Sequence, residues 1–141
     1  MKKTPDELVS LAISARMLAY APYSQYLTGA ALLCSDGTVY TGCNVENAAF
    51  SPSICAERVA FSKAVSEGKR SFTAIAVVGA RQGESPVGVS PCGVCLQVMQ
   101  EFCDPAQFQI HLQTENGRIR TEALRAFLPY AFSASDLTPQ D

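Results

Sequence analysis

Two short stretches hold residue types that do chemistry together. Cys55-Ala56-Glu57-Arg58 offers a thiol, a carboxylate and a guanidinium, and Pro91-Cys92-Gly93-Val94-Cys95 offers two more thiols. Thiolates bind zinc tetrahedrally. Structural zinc sites take four protein ligands, whereas catalytic ones take three and keep one position open. Cys92 and Cys95 are three apart, so a helix that begins there turns both to one face. Cys55 opens a second helix, and two helix N-termini aimed at one spot lower thiol pKa values. In a regular helix Glu57 would diverge from Cys55 by roughly 200°. At a helix end both side chains tip over the terminus, and the carboxylate reaches a metal-activated water without ligating the ion. A lone C-x-x-C is a weak signal; the C-A-E-R stretch makes it strong. The competing arrangement is a closed four-cysteine site with Cys34, Cys43 or Cys103 as the fourth ligand. Those three fall at strand and helix ends, where they read as small buried hydrophobes.

Three thiolates around Zn²⁺ leave a net negative centre, which weakens the ion as a Lewis acid. Arg58 lies three positions after Cys55 on the same helix face. It is expected to donate hydrogen bonds to the sulfurs and offset that charge; the plainer alternative is a surface arginine.

The elements that must position these groups are legible in the spacing. Thr4 to about Tyr20 reads as a helix, with Thr4 as cap, Pro5 in its first turn, Asp6 and Glu7 on its dipole and Pro22 as its stop. Leu8, Leu11, Ala12, Ala15 and Ala19 make its apolar face. Pro22 to Tyr26 is a loop. Strands over 27–34 and 38–43 flank the Ser35-Asp36-Gly37 turn as a hairpin. A helix runs from Ile54 to Glu67, stopped by Gly68. A buried strand covers 72–79, a loop 82–91, a helix 93–102 and a strand 108–113. A short strand follows over 118–120, a helical turn opens at Thr121, and 128–132 is expected to close the core. Strands alternating with helices predict a three-layer α/β/α sandwich around a mixed five-stranded sheet. Residues 1–133 are expected to form one domain and 134–141 a polar tail.

The chain has 141 residues, enough for one real core. Its net charge is −2, without a run of Lys or Arg, which argues against tight binding to a nucleic-acid backbone or an anionic membrane. Met1-Lys2-Lys3 is followed by Thr4-Pro5-Asp6-Glu7 rather than an apolar stretch, and no apolar run approaches the roughly 20 residues of a membrane span. A cytoplasmic protein is expected, with its six cysteines serving as thiols or metal ligands. Hydrophobic residues make up 48%, a share that fits an oligomer. His111, the only histidine, is expected to be structural.

The motifs resemble those of a known family. Zinc deaminases pair a non-ligand glutamate with a P-C-x-x-C motif. Cys55-Ala56-Glu57 in place of His-x-Glu resembles cytidine deaminase of the small, homotetrameric, three-cysteine class. The resemblance covers nearly the whole chain: Pro22-Tyr23-Ser24, Gly29 to Leu32, Gly42 to Ala49, Cys55 to Arg58, Ser90 to Cys95, and Leu128-Pro129 through Phe132 and Leu137. It implies zinc-dependent hydrolytic deamination of cytidine and deoxycytidine, with one Zn²⁺ per chain held by Cys55, Cys92 and Cys95. Glu57 is then the catalytic acid/base. The resemblance further implies that Asn44 and Glu46 hold the sugar 3′-hydroxyl, the Ala56 N–H meets the pyrimidine O2, and the Ser90 carbonyl meets the leaving amine. Tyr26 stands where the family usually has Phe beside the base, and Phe132 matches a residue that reaches a neighbouring subunit's pocket. Three departures stand out. Leu96 replaces the family's usual Arg, Ser51-Pro52-Ser53-Ile54 is unusual before the first ligand, and Gln25 and Thr28 vary the first loop and strand.

Three other readings compete. One is deamination of a blasticidin-type aminopyrimidine nucleoside, which a substrate panel separates. A structural zinc module predicts indifference to loss of the Glu57 carboxylate. A polynucleotide editor is disfavoured by the acidic balance, by the lack of basic-aromatic platforms, and by a sugar-hydroxyl grip that a polymer would esterify.

Overall fold

The computed structural model describes residues 2–138. Helix α1 (Pro5–Arg16) starts as the sequence predicts: Thr4 Oγ1 accepts from the Glu7 N–H and the Glu7 carboxylate accepts from the Thr4 N–H, a reciprocal capping box. It stops a turn earlier than Tyr20, because the Tyr20 backbone is committed elsewhere. The Tyr20 N–H donates to Asn44 O and its carbonyl accepts from the Glu46 N–H. Ala19 therefore lies outside the helix, and the buried face is Leu8, Val9, Ala12 and Arg16. The burial of Arg16 was not legible in an apolar pattern. Its guanidinium donates to the carbonyls of Leu27, Ala80 and Arg81, which satisfies the charge at the sheet.

Strands β1 (Tyr26–Cys34) and β2 (Val39–Cys43) form the expected antiparallel hairpin, with Gly37 at φ 93° in the turn. Helix α2 spans Ala56–Ser66, β3 Phe72–Arg81, α3 Gly93–Phe102, β5 Gln109–Gln113 and β6 Ile119–Ala123. The sheet runs β2-β1-β3-β5-β6, antiparallel except for the parallel β3–β5 pair. It is the predicted five-strand path with one addition. The loop over 82–91 contains a two-residue strand, β4 (Val87–Gly88), paired to β3. Turn-rich composition hid it.

Two apolar clusters make the layers. Leu8, Val9 and Ala12 of α1 pack on Ala31, Leu33, Ala74, Ala76 and Val78 on one sheet face. On the other face Ala30, Leu32, Ile75 and Val77 meet Ala60 and Phe61 of α2, and Leu96 and Met99 of α3. The sandwich is therefore α/β/α, as the alternation of elements predicts.

The C-terminal part differs from expectation. Thr121–Ala123 belong to β6, and the helical turn α4 is Leu124–Phe127. Leu128 packs at the edge of the core, but Tyr130 is 98% and Phe132 56% exposed, so 128–132 does not close the core of the chain. Ala134–Asp136 form a 3₁₀ turn with a capping box at Ser133, within the predicted polar tail. Residues 139–141 of that tail lie outside the described residues, as does Met1.

His111 is buried on β5, where its Nδ1 and the Thr121 hydroxyl share a 2.7 Å hydrogen bond. Burial holds its pKa below the ordinary histidine value. The unfolded chain therefore takes up a proton that the folded ring resists. Stability is full above about pH 6.5 and falls as acid is added below it. A His111→Gln variant should flatten that acid slope in denaturant titrations; an unaltered slope would assign acid sensitivity to other groups.

Candidate metal centre and adjoining cleft

The local backbone explains how Cys55 and Glu57 come together. Cys55 is the N-cap of α2 at φ −77°, ψ 156°, so it is extended and the helical divergence does not apply to it. Glu57 is the second residue of the helix. Cys92 caps α3 in the same way at φ −70°, ψ 166°, and Cys95 sits in that helix's first turn. Both helices thus present an N-terminus to the same point.

The ligand atoms of Cys55, Cys92 and Cys95 all lie within 4.8 Å of one another, and Cys55 Sγ is 3.8 Å from Cys92 Sγ. Zinc–sulfur bonds of about 2.3 Å at tetrahedral angles put sulfurs about 3.8 Å apart, so the spacing fits zinc. A disulfide requires about 2.05 Å, which this pair does not approach. Among the described residues no fourth Cys, His, Asp or Glu joins this group. Cys34 and Cys103 are buried in the apolar core and Cys43 is half-buried at the end of β2, and burial pushes all three thiols up. The closed four-cysteine arrangement is therefore not the one the chain forms.

The thiols share their protons unevenly. Cys55 is drawn down to about 5, first by the hydrogen bond from Cys95, then by donation from Arg58 and Cys92 against the cost of burial. Cys95 moves up, because it is the donor in that pair and is buried beside the Glu57 charge. One thiolate is favoured and the next is resisted, a tension that a divalent cation relieves. Arg58 Nη2 lies 3.5 Å from Cys55 Sγ, as predicted from its three-residue spacing. Its Nε is buried without a hydrogen-bond partner among the described residues. Arg58→Gln should release zinc at higher pH than the unaltered chain, since the thiolates lose a donor and a neighbouring cation. Zinc release followed against pH checks this; coincident curves would show that Arg58 does not stabilise the thiolates.

Glu57 is only 4% exposed, and burial above all pushes its carboxyl up to about 7. It stands outside the three-sulfur group and lines the same cleft. That cleft, about 330 Å³, is walled by Cys55, Glu57, Arg58 and Cys92 at one end and by Asn44, Glu46, Thr28, Ser53, Ile54, Val89 and Ser90 around it. Its size falls within the range of small-ligand sites.

Asn44 and Glu46 reach the cleft because the intervening Val45 is locked on both sides. Its N–H donates to Ile54 O and its carbonyl accepts from Ile54 N–H, while its neighbours bond Tyr20. Alternation in this extended segment then turns Asn44 and Glu46 the same way. The same bridge fixes Ile54, and hence Cys55, beside them. Asn44 Oδ1 accepts from Thr28 N–H and its Nδ2 donates to Tyr26 O, both at 2.8 Å. The Glu46 carboxylate accepts from the N–H groups of Tyr23 and Ser24 and from the Ser24 hydroxyl, which together hold its pKa low.

The other predicted contacts are placed less directly. The Tyr26 ring lies over Gly79 and beside Val89, so it backs the cleft wall instead of lining it. Ala56 is fully buried at the first position of α2. The Phe132 ring projects to solvent while its carbonyl accepts from Gln97 Nε2 at 2.8 Å. Leu96 is 6% exposed within the apolar cluster between α3 and the sheet. No charge is placed there, and Arg58 is the cation at the sulfurs. The sequence assigns Val89 no role, and it marks Ser24 only as part of the Pro22-Tyr23-Ser24 motif, without a function.

Comparison with known proteins agrees with this geometry. Residues 2–111 match the model described as cytidine and deoxycytidylate deaminase zinc-binding region. The chain is 48% identical over 133 residues to a cytidine deaminase of Sporosarcina psychrophila, covering 94% of each chain. It superposes on the crystal structure of cytidine deaminase from Burkholderia pseudomallei with a TM-score of 0.82 at 43% identity, covering 92% of this chain and all of that one. The corresponding structure from Mycobacterium tuberculosis gives 0.75 at 36% identity, over 89% and 94% of the two chains. With its three sulfurs at zinc-binding distance and a buried glutamate beside them, the chain belongs to the cytidine and deoxycytidylate deaminase zinc-binding family.

Proposed function

We propose that the chain is a zinc-dependent cytidine deaminase that hydrolyses cytidine and deoxycytidine to uridine and deoxyuridine and releases ammonia. One observation carries this reading: a buried carboxylate opens onto the same nucleoside-sized cleft as three convergent thiols. Zinc, when bound by Cys55, Cys92 and Cys95, supplies Lewis acidity that makes water a nucleophile near neutral pH. Glu57 takes one proton from the attacking water and passes it to ring N3 as the C4–O bond forms; it then takes the second proton from the new C4 hydroxyl and delivers it to the amino group, which leaves as ammonia when the C4–N bond breaks. A single buried carboxyl beside the three sulfurs can serve as base and then as acid. Asn44 and Glu46 hold the sugar 3′-hydroxyl, and the Ala56 N–H at the start of α2 meets the pyrimidine O2. The Ser90 carbonyl accepts from the leaving amine, and Tyr26 backs the base through Val89.

We further propose a homotetramer acting in pyrimidine salvage. Tyr130, Phe132 and Leu137 are exposed on one short segment, which suits burial by another subunit, with Phe132 entering a neighbour's cleft. Residues 1–133 act as one domain. Six free thiols fit a reducing, cytoplasmic setting. Loss of cytidine absorbance with stoichiometric ammonia, run beside zinc content per chain, tests the whole reading. Negligible turnover of cytidine beside rapid turnover of a blasticidin-type nucleoside would reassign the substrate.

A further inference from the structure

The sugar-facing carboxylate does not hold itself in place. Glu46 is half-buried at the cleft in the segment that follows β2, and its side-chain hydrogen bonds come from outside that segment. What fixes it comes from the loop before β1. Glu46 Oε1 accepts from the Tyr23 N–H at 3.0 Å and from the Ser24 N–H at 3.1 Å, and Oε2 accepts from the Ser24 hydroxyl. The Ser24 oxygen in turn accepts from the Tyr26 N–H at 3.0 Å. One hydroxyl thus joins the carboxylate at the sugar end of the cleft to the aromatic residue that backs its wall.

The loop that carries Ser24 is itself pinned. The Gln25 N–H donates to Ala21 O and the Gln25 carbonyl accepts from the Gln82 N–H. Gln25 sits at φ 61°, the one non-glycine residue with positive φ among those described. A side chain held in that sparsely populated region indicates a loop shape enforced by its surroundings. Of the roughly four acceptor directions on a carboxylate, the loop fills three. The remaining one is on Oε2, and Glu46 lines the same cleft as Asn44. The Asn44 amide has one N–H left after its bond to Tyr26 O. One free acceptor and one free donor match a single hydroxyl.

We propose that Ser24 is a positioning residue for the deamination, setting the Glu46 carboxylate so that one acceptor site faces the sugar 3′-hydroxyl. The proposal rests on the sugar-binding role given to Glu46 above. Ser24 acts through Glu46 and leaves the proton transfers at Glu57 untouched, so its effect belongs to recognition of one hydroxyl.

The test compares kcat/KM for cytidine and for 3′-deoxycytidine in zinc-loaded protein. The unaltered chain should prefer cytidine. Ser24→Ala should lower kcat/KM for cytidine about tenfold, chiefly through KM, because one charge-assisted hydrogen bond is lost at a half-exposed site. 3′-Deoxycytidine should lose much less, so the preference collapses, and Ser24→Thr, which keeps the hydroxyl, should restore it. Zinc content should stay at one per chain. If the alanine variant does not fold, Ser24→Cys keeps the shape with a weaker donor and should erode the same preference. An undiminished preference in a folded variant, or an equal loss on both substrates, would overturn the assignment of Ser24. No preference in the unaltered chain would overturn the reading of Glu46, and the role of Ser24 with it.

Discussion

Glu57→Gln should abolish deamination while leaving the zinc and the fold in place. A lost general acid/base costs roughly 10²–10⁴-fold in rate. Here one carboxylate handles every proton, so the loss should reach the upper end of that range or pass it. The substitution is nearly isosteric at a residue 4% exposed, and it replaces a buried ionisable group by a neutral amide. The folded state should therefore be as stable as before. The three sulfurs do not include Glu57 in their group, so zinc per chain should remain one. Single-turnover rates with metal analysis check both halves. Activity within tenfold of the unaltered chain would leave Glu57 as a buried structural carboxylate and take the acid/base role away from it.

Gly42→Ala should cost the protein its metal centre and much of its stability together. A Cβ at Gly42 would stand 2.3 Å from Ala56 O and 2.7 Å from Ala60 N, both backbone atoms of α2. Backbone cannot rotate aside, so the first turn of α2 must lift from β2. That turn carries Glu57 and directly follows Cys55. Overpacking of this kind costs about 1–3 kcal/mol and occasionally more; with backbone on both sides the upper end is expected. Gly29→Ala is the matched control. Its Cβ would meet Ala12 O at 2.0 Å and Arg16 N at 2.7 Å, on α1 and the opposite sheet face. It should destabilise at least as much, yet retain zinc as long as it folds. Thermal unfolding and zinc content across the pair decide the matter. Equal zinc in both variants would show that the Gly42 contact does not set the ligand geometry.

Much of the candidate site was readable from residue types because its geometry is local. Cys92 and Cys95 are joined by one helical turn, and Cys55 and Glu57 by one helix end. Spacing along the chain fixes such relations. The Arg58 to Cys55 contact followed from the same logic. Elements bounded by strong punctuation, such as Thr4, Gly37 and Gly68, were also placed well. The rest depended on partners distant in the chain. The end of α1 is decided by Tyr20 pairing with the segment around Val45, and β4 exists only because β3 lies beside it. The burial of Arg16 depends on the carbonyls of Leu27, Ala80 and Arg81, which only the fold brings into reach. Thr121 to Ala123 scored as a helix start, yet pairing with β5 draws them into the sheet. The role of Ser24 required knowing that Glu46, 22 residues on, folds back over it.

The two capping cysteines lie 37 positions apart, with a whole strand and its neighbours threaded between them. During synthesis the first of them emerges long before the second, and a single sulfur cannot retain an ion against the cell's other chelators. Ion capture must therefore wait for the start of α3 to be made. When it comes, it ties off a long stretch of chain and freezes the entropy of the intervening segment in one step. Growth medium depleted of the metal should accordingly yield a nascent protein that lingers open to proteases.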